Sequence, residues 1–189
     1  MPRPRKSRLP DSPPQAGGSD YVESFPPSIG PECRVLILGS MPGVRSLEAV
    51  QYYAHPQNRF WPTMQAVFGI DAALPYAKRM ADLLACGVGL WDVLAGCERR
   101  GSLDSAIAPQ SEVANAIAPL LLDRRDIRAV AFNGAKAAQA FTRHVAASLP
   151  EARRRDLELH TLPSTSPAHA SMTQAEKLAR WSVLARFTR

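Results

Sequence analysis

Four short runs set the rhythm of this chain: residues 34–38 (RVLIL), Val88–Asp92 (VGLWD), 128–132 (RAVAF) and Glu158–Leu162 (ELHTL). Brief, mostly apolar runs bounded by turn residues read as strands, and the first is apolar enough for a strand buried on both faces. The intervals carry a different period. Phe60, Trp61, Met64, Val67 and Phe68 recur at helical spacing and mark one buried face of a helix that starts near Phe60, with Pro62 in its first turn. Further helices are predicted at Tyr76–Ala85, at 111–122 with Ser111 as N-cap, and over an alanine-rich stretch from Asn133-Gly134 to about Ala147. A last helix is capped by Thr173, with Glu176 completing a T-x-x-E capping box. Strands alternating with helices predict an α/β fold: a three-layer α/β/α sandwich around a central, mainly parallel four-stranded sheet. Residues 1–30 show little apolar period and much Pro, Ser and Gly, which predicts a flexible basic tail before a folded domain at 31–189.

Composition alters this picture only modestly. A length of 189 residues suits one domain with a full core. The net charge of +6 is mostly a tail effect, because Arg3, Arg5, Lys6 and Arg8 supply four of those charges. Such an arm raises non-specific affinity for nucleic acid through counterion release, or simply stays solvated. Cys33, Cys86 and Cys97 are scattered and form no C-x-x-C pair, which predicts reduced thiols and no metal site. No run approaches the ~20 apolar residues of a membrane span, and no secretory signal is visible. The expectation is a cytoplasmic monomer with no membrane association.

The chemistry concentrates after the strands. In a parallel sheet the loops following the strands gather at one edge, where α/β proteins bind ligands. That edge would bring together residues 39–61 (GSMPGVRSLEAVQYYAHPQNRFW), Trp91-Asp92, Asn133-Gly134 and residues 162–169 (LPSTSPAH). The first of these is too aromatic and amide-rich for an ordinary solvent loop. It also lacks the GKS/T ending of a phosphate-binding loop and the GxGxxG dinucleotide fingerprint. No GxSxG elbow supports a serine hydrolase.

These residues resemble the hypoxanthine-DNA (deoxyinosine) glycosylases, a branch of the uracil-DNA glycosylase superfamily. The likeness is carried by GSMPG at 39–43, YYAHPQNRFW at 52–61, GLWDVL at 89–94, GSLDSAI at 101–107, FNGAKA at 132–137 and LPSTSPA at 162–168. It implies hydrolysis of the N-glycosidic bond of a deaminated nucleotide flipped out of DNA, without metal or cofactor. On this resemblance Asn58 matches the branch's catalytic asparagine and would position the attacking water; its amide is too weak a base to do more. The residue type alone equally suits a helix cap. Gly39, Ser40 and Met41 would meet the base, and Tyr53 and Phe60 would stack on it, with core packing as the other reading of both rings. Asn133 would read the base edge, or serve only as the turn residue of Asn-Gly. Pro42, Gly43, Ser164, Thr165, Ser166 and His169 would hold DNA, the hydroxyls as phosphate donors, unless 162–169 is an ordinary linker. His55 belongs to the same motif and is read either as a phosphate contact or as a surface residue. Arg153-Arg154-Arg155 reads as a solvated face, with contact to DNA as the lesser reading.

Two departures bear on substrate. Uracil-selective relatives carry an acidic or amide residue where this chain has Met41, and many have His where it has Leu162. Each lost hydrogen bond to developing charge is worth ~1.5–3 kcal/mol, enough to disfavour excision of uracil.

Overall fold

The computed structural model describes residues 20–169 and 171–188. In chain order the elements are β1 (Tyr21–Glu23), β2 (Val35–Gly39), α1 (Val44–Ala49), α2 (Phe60–Phe68), α3 (Tyr76–Ala85), β3 (Val88–Asp92) and β4 (Leu94–Glu98). They continue with β5 (Val113–Ala114), α4 (Ile117–Asp123), β6 (Ala129–Asn133), α5 (Ala135–His144), α6 (Glu151–Arg155), β7 (Glu158–Leu162) and α7 (Gln174–Trp181). The central sheet has the order β3-β2-β6-β7, every pairing parallel. This is the predicted three-layer sandwich. Along β2, Leu36 and Leu38 point into a core built with Ile117, Leu121, Phe132 and Phe141. Val35 and Ile37 point the other way, into a core with Phe60, Met64, Leu83 and Trp181. The period-two alternation of a strand therefore serves two hydrophobic layers at once. From β2 the chain moves to one side for β3 and crosses to the other for β6. The strand order thus reverses between β2 and β6, and the crevice at such a switch point is where open α/β sheets bind ligands.

Several expectations need correction. Residues 20–30 are not part of a flexible tail. β1 pairs antiparallel with β4, in register Tyr21↔Glu98. Ser28 exchanges backbone hydrogen bonds with Leu90, and Trp91 Nε1 donates to Phe25 O at 3.0 Å. With β5 these strands form a second, three-stranded sheet, β1-β4-β5, that the residue pattern did not predict. The expected tail falls otherwise at 1–19, outside the described residues.

Ser111 caps no helix. Its hydroxyl accepts from Glu98 N–H and donates to Ala108 O, both at 2.7 Å, so α4 starts only at Ile117. Arg153 is not a solvated residue: at 2% exposure it donates to the backbone carbonyls of Leu121, Arg124 and Ile127. It satisfies orphan carbonyls at the end of α4 that would otherwise be buried unpaired. The capping box before α7 is present in both directions, Thr173 N–H to Glu176 and Glu176 N–H to Thr173 Oγ1. Among the described residues no helix is long and apolar enough to cross a membrane.

Candidate active site

A cavity of about 540 Å³ opens at the β2–β6 switch point. Of the residues predicted to form a site, Gly39, Ser40, Met41, Pro42, Gly43, Tyr53, Asn58, Asn133, Ser164, Thr165, Ser166 and His169 all line it. Phe60 does not.

The turn after β2 is held from across the chain. Arg99, itself buried, donates to Met41 O at 3.4 Å and Pro42 O at 2.6 Å. Ser40 Oγ donates to Asp104 Oδ1 at 2.5 Å, and Val44 N–H donates to Ser102 Oγ at 2.9 Å. Residues 99–104 thus brace residues 40–44. These contacts join positions 57 to 64 residues apart, and no local pattern announces them. Met41 is only 6% exposed, so its side chain presents a small apolar face to the cavity.

Tyr53 adopts a positive φ of 58°, which turns its ring across the start of α2. One face stacks on Phe60, centroids 3.9 Å apart and planes 19° from parallel. Phe60 has no exposed surface and packs edge-on against Trp61 and Trp181. Its expected contact with a base is therefore corrected: it is core, and it backs Tyr53, which alone of the two lines the cavity.

Asn58 sits just before α2. Its Oδ1 accepts from Phe60 N–H at 2.9 Å, and its own N–H donates to His55 O at 2.8 Å. The two readings of Asn58 are thus compatible. One lone pair of the amide oxygen pins the helix start, while the second lone pair and the Nδ2 hydrogens remain. The next N–H, of Arg59, donates to Thr165 O at 2.9 Å and fastens this motif to the loop after β7.

Asn133 and Thr165 form the second fastening. Asn133 Nδ2 donates to Thr165 Oγ1 and Thr165 N–H donates to Asn133 Oδ1, each at 2.9 Å. The amide is a clamp first. Thr165 is 1% exposed with hydroxyl and backbone engaged, so its expected role as a phosphate donor gives way to that of an anchor. Gly134 makes the clamp possible: its φ is 103°, and a Cβ there would stand 3.1 Å from Ser164 Cβ. The loop is tied down from α7 as well. Buried Lys177 donates to Ser164 O at 3.1 Å and His169 O at 2.6 Å, and Trp181 Nε1 donates to Pro163 O. Ser164 and Ser166 remain half-buried at the rim beside His169, each hydroxyl accepting a backbone N–H two residues on.

Asp92 also lines the cavity. It ends β3 at the predicted sheet edge, but the motifs assigned it no role, and only its position as a carboxylate at a strand terminus could have marked it. It is 3% exposed, and its Oδ2 has no hydrogen-bond partner. Burial lifts its carboxyl from the ordinary 3.8 to about 7, against the pull of the nearby Tyr52 hydroxyl and Arg99 guanidinium. Burial by the same surroundings raises the Tyr53 hydroxyl, and Asp92 adds to that rise.

Known proteins resemble this chain in sequence and in fold. Residues 26–185 match the model of the Uracil DNA glycosylase superfamily. A protein of Methanosarcina acetivorans named Hypoxanthine DNA glycosylase is 31% identical over 163 residues, which cover 86% of this chain and 96% of the relative. A protein of the same name from Methanosarcina barkeri is 36% identical over 118 residues, 62% of this chain and 73% of the relative. The solution NMR structure of a Methanosarcina acetivorans protein described as a candidate uracil DNA glycosylase superposes with a TM-score of 0.73 at 29% identity, covering 88% of this chain and 97% of that one.

Proposed function

The chain belongs to the uracil DNA glycosylase superfamily, and from that premise we propose that it is a monofunctional DNA glycosylase that hydrolyses the N-glycosidic bond of deoxyinosine. The observation that carries this reading is the fastening of Asn58 to the rest of the cavity. The Arg59–Thr165 and Thr165–Asn133 hydrogen bonds lock three separate loops into one wall. Catalysis by position needs such rigidity, because the water must meet C1′ at near-bonding distance and along the correct line. A nucleobase extruded from the duplex enters the cavity and lies on the free face of Tyr53, whose other face Phe60 holds. Ser164, Ser166 and His169 at the rim contact the backbone phosphates. Positive charge then develops on the sugar and negative charge on the departing base.

The preference for hypoxanthine over uracil rests on Met41 and Leu162. Met41 offers the base an apolar surface where an acid or amide would read a pyrimidine edge. Leu162 is buried in the core and supplies no hydrogen bond to a departing anion. The test is a panel of duplexes carrying deoxyinosine, deoxyuridine or deoxyxanthosine, each treated with alkali after incubation to cut at abasic sites. Cleavage of the deoxyinosine strand above the other two is expected. Tight binding to deoxyinosine DNA with no cleavage would make the protein a lesion sensor instead of an enzyme.

A further inference from the structure

We propose that Asp92 is a second catalytic residue, whose carboxyl group gives its proton to the imidazole ring of the departing purine. This rests on the glycosylase reading above and adds to it the acid that a purine leaving group needs.

The geometry carries the assignment. Asp92 lines the same cavity as Asn58 and Asn133, at the end of the strand next to β2. Room for its carboxyl exists only because residue 39 is glycine: a Cβ there would stand 2.5 Å from Asp92 Oδ1. Its Oδ2 is buried with no partner, and among the described residues no cation pairs with it. Arg99, the nearest basic group acting on it, spends Nη1 and Nη2 on the carbonyls of Met41 and Pro42. The other titratable groups facing it are Tyr52 and Tyr53 from the loop before α2 and Asp104 from the bracing segment. None of these neutralises a carboxylate by pairing with it. A buried carboxyl in such a place holds its proton up to about pH 7 and presents an O–H that wants an acceptor. Of the wall's other donors, Ser40 Oγ is engaged by Asp104 and one Asn133 Nδ2 hydrogen by Thr165, and the remaining amide hydrogens of Asn58 and Asn133 and the rim hydroxyls are not acids.

The step balances without any co-reactant. The C1′–N9 bond breaks and its electron pair passes to the purine, while the Asp92 proton bonds to N7, so hypoxanthine leaves neutral. The water held by Asn58 bonds to C1′ and sheds a proton to solvent. The Asp92 carboxylate then recovers a proton from solvent through the open cavity.

Single-turnover excision from a deoxyinosine duplex, followed from pH 5.5 to 9, tests this. The native protein should be fastest below about pH 7 and lose about tenfold per unit above it. Asp92→Asn should be ~10²–10⁴-fold slower with no fall above pH 7, and still bind the duplex. A duplex carrying 7-deaza-2′-deoxyinosine, which has no N7 to protonate, should be bound by the native protein and not excised. Removal of the 7-deaza base at the inosine rate overturns the proposal without recourse to a variant. Native-like rates in Asp92→Asn, or slow rates that keep the native fall above pH 7, overturn it too. A native protein that leaves deoxyinosine untouched overturns the glycosylase reading itself, an outcome separate from both.

Discussion

Asn133 and Asn58 each have an amide at a strand or helix boundary, and each is used for architecture before chemistry. Both double readings had been open in the residue pattern, since an Asn beside Gly or before an apolar helix suits a turn or cap as well as a site. The geometry separates them by which hydrogen-bonding atoms are already engaged. Phe60 shows the opposite limit. Its aromatic motif position was legible, but not that a neighbouring ring would cover it completely, because burial is decided by α7, more than 110 residues on.

Two predictions belong to this scale. Gly39→Ala drives a Cβ onto the Asp92 carboxyl and should cost about 1–3 kcal/mol, read from urea unfolding midpoints, with partial recovery in the Gly39→Ala/Asp92→Ser double variant. Asp92 also imposes a pH dependence on stability. Its folded carboxyl binds a proton more tightly than the ordinary 3.8, so the native protein loses stability as pH rises from about 4 to about 7 and stays lower beyond it. Asp92→Asn should lack that contribution. At pH 8 its melting temperature should equal or exceed the native one, and a clear fall would show that the ionised carboxylate stabilises the fold.

At the level of elements, local signals are legible in the sequence and distant ones are not. The strands predicted at 34–38 and 128–132 and the Thr173 capping box are written in consecutive residues; the box is present, and the strands form one residue further on, at Val35–Gly39 and Ala129–Asn133. β1 is only three residues long, with one partly buried side chain, so no periodicity could reveal it. Its existence depends on the free edge of β4. Ser111 was a plausible cap by residue type, but Glu98 N–H and Ala108 O claimed its hydroxyl. The loop after β7 illustrates how one element is held by another: Lys177 on α7 reaches two of its carbonyls from a buried position. Lys177→Met keeps the bulk and removes both charge-assisted bonds, so about 2–3 kcal/mol of stability should go. Affinity for duplex DNA should fall with it, measured by fluorescence anisotropy; unchanged affinity would mean that the rim serines do not depend on this tether.

Across the whole molecule, the fold class followed from alternation of strand and helix, and the candidate site from the gathering of the loops after parallel strands at one edge; the strand order that sets the switch point between β2 and β6 is visible only in the structure. The domain boundary did not. Residues 20–30 look like the Pro- and Ser-rich stretch before them, yet they close the second sheet and place Phe25 edge-on against Tyr52 at 5.1 Å. A chain beginning at Pro31 should therefore melt several degrees below one beginning at Asp20, by circular dichroism.

In the proposed function, one wall, tied together through Thr165, holds Asn58 for hydrolysis of a deoxyinosine glycosidic bond. The most direct test of this role compares the native protein with Asn58→Ala on a deoxyinosine duplex at saturating enzyme, scoring abasic sites per turnover alongside duplex binding. Efficient abasic-site formation by the native protein is expected, and a loss of at least ~10²-fold in the variant with binding retained. Excision by Asn58→Ala at the native rate would contradict that role.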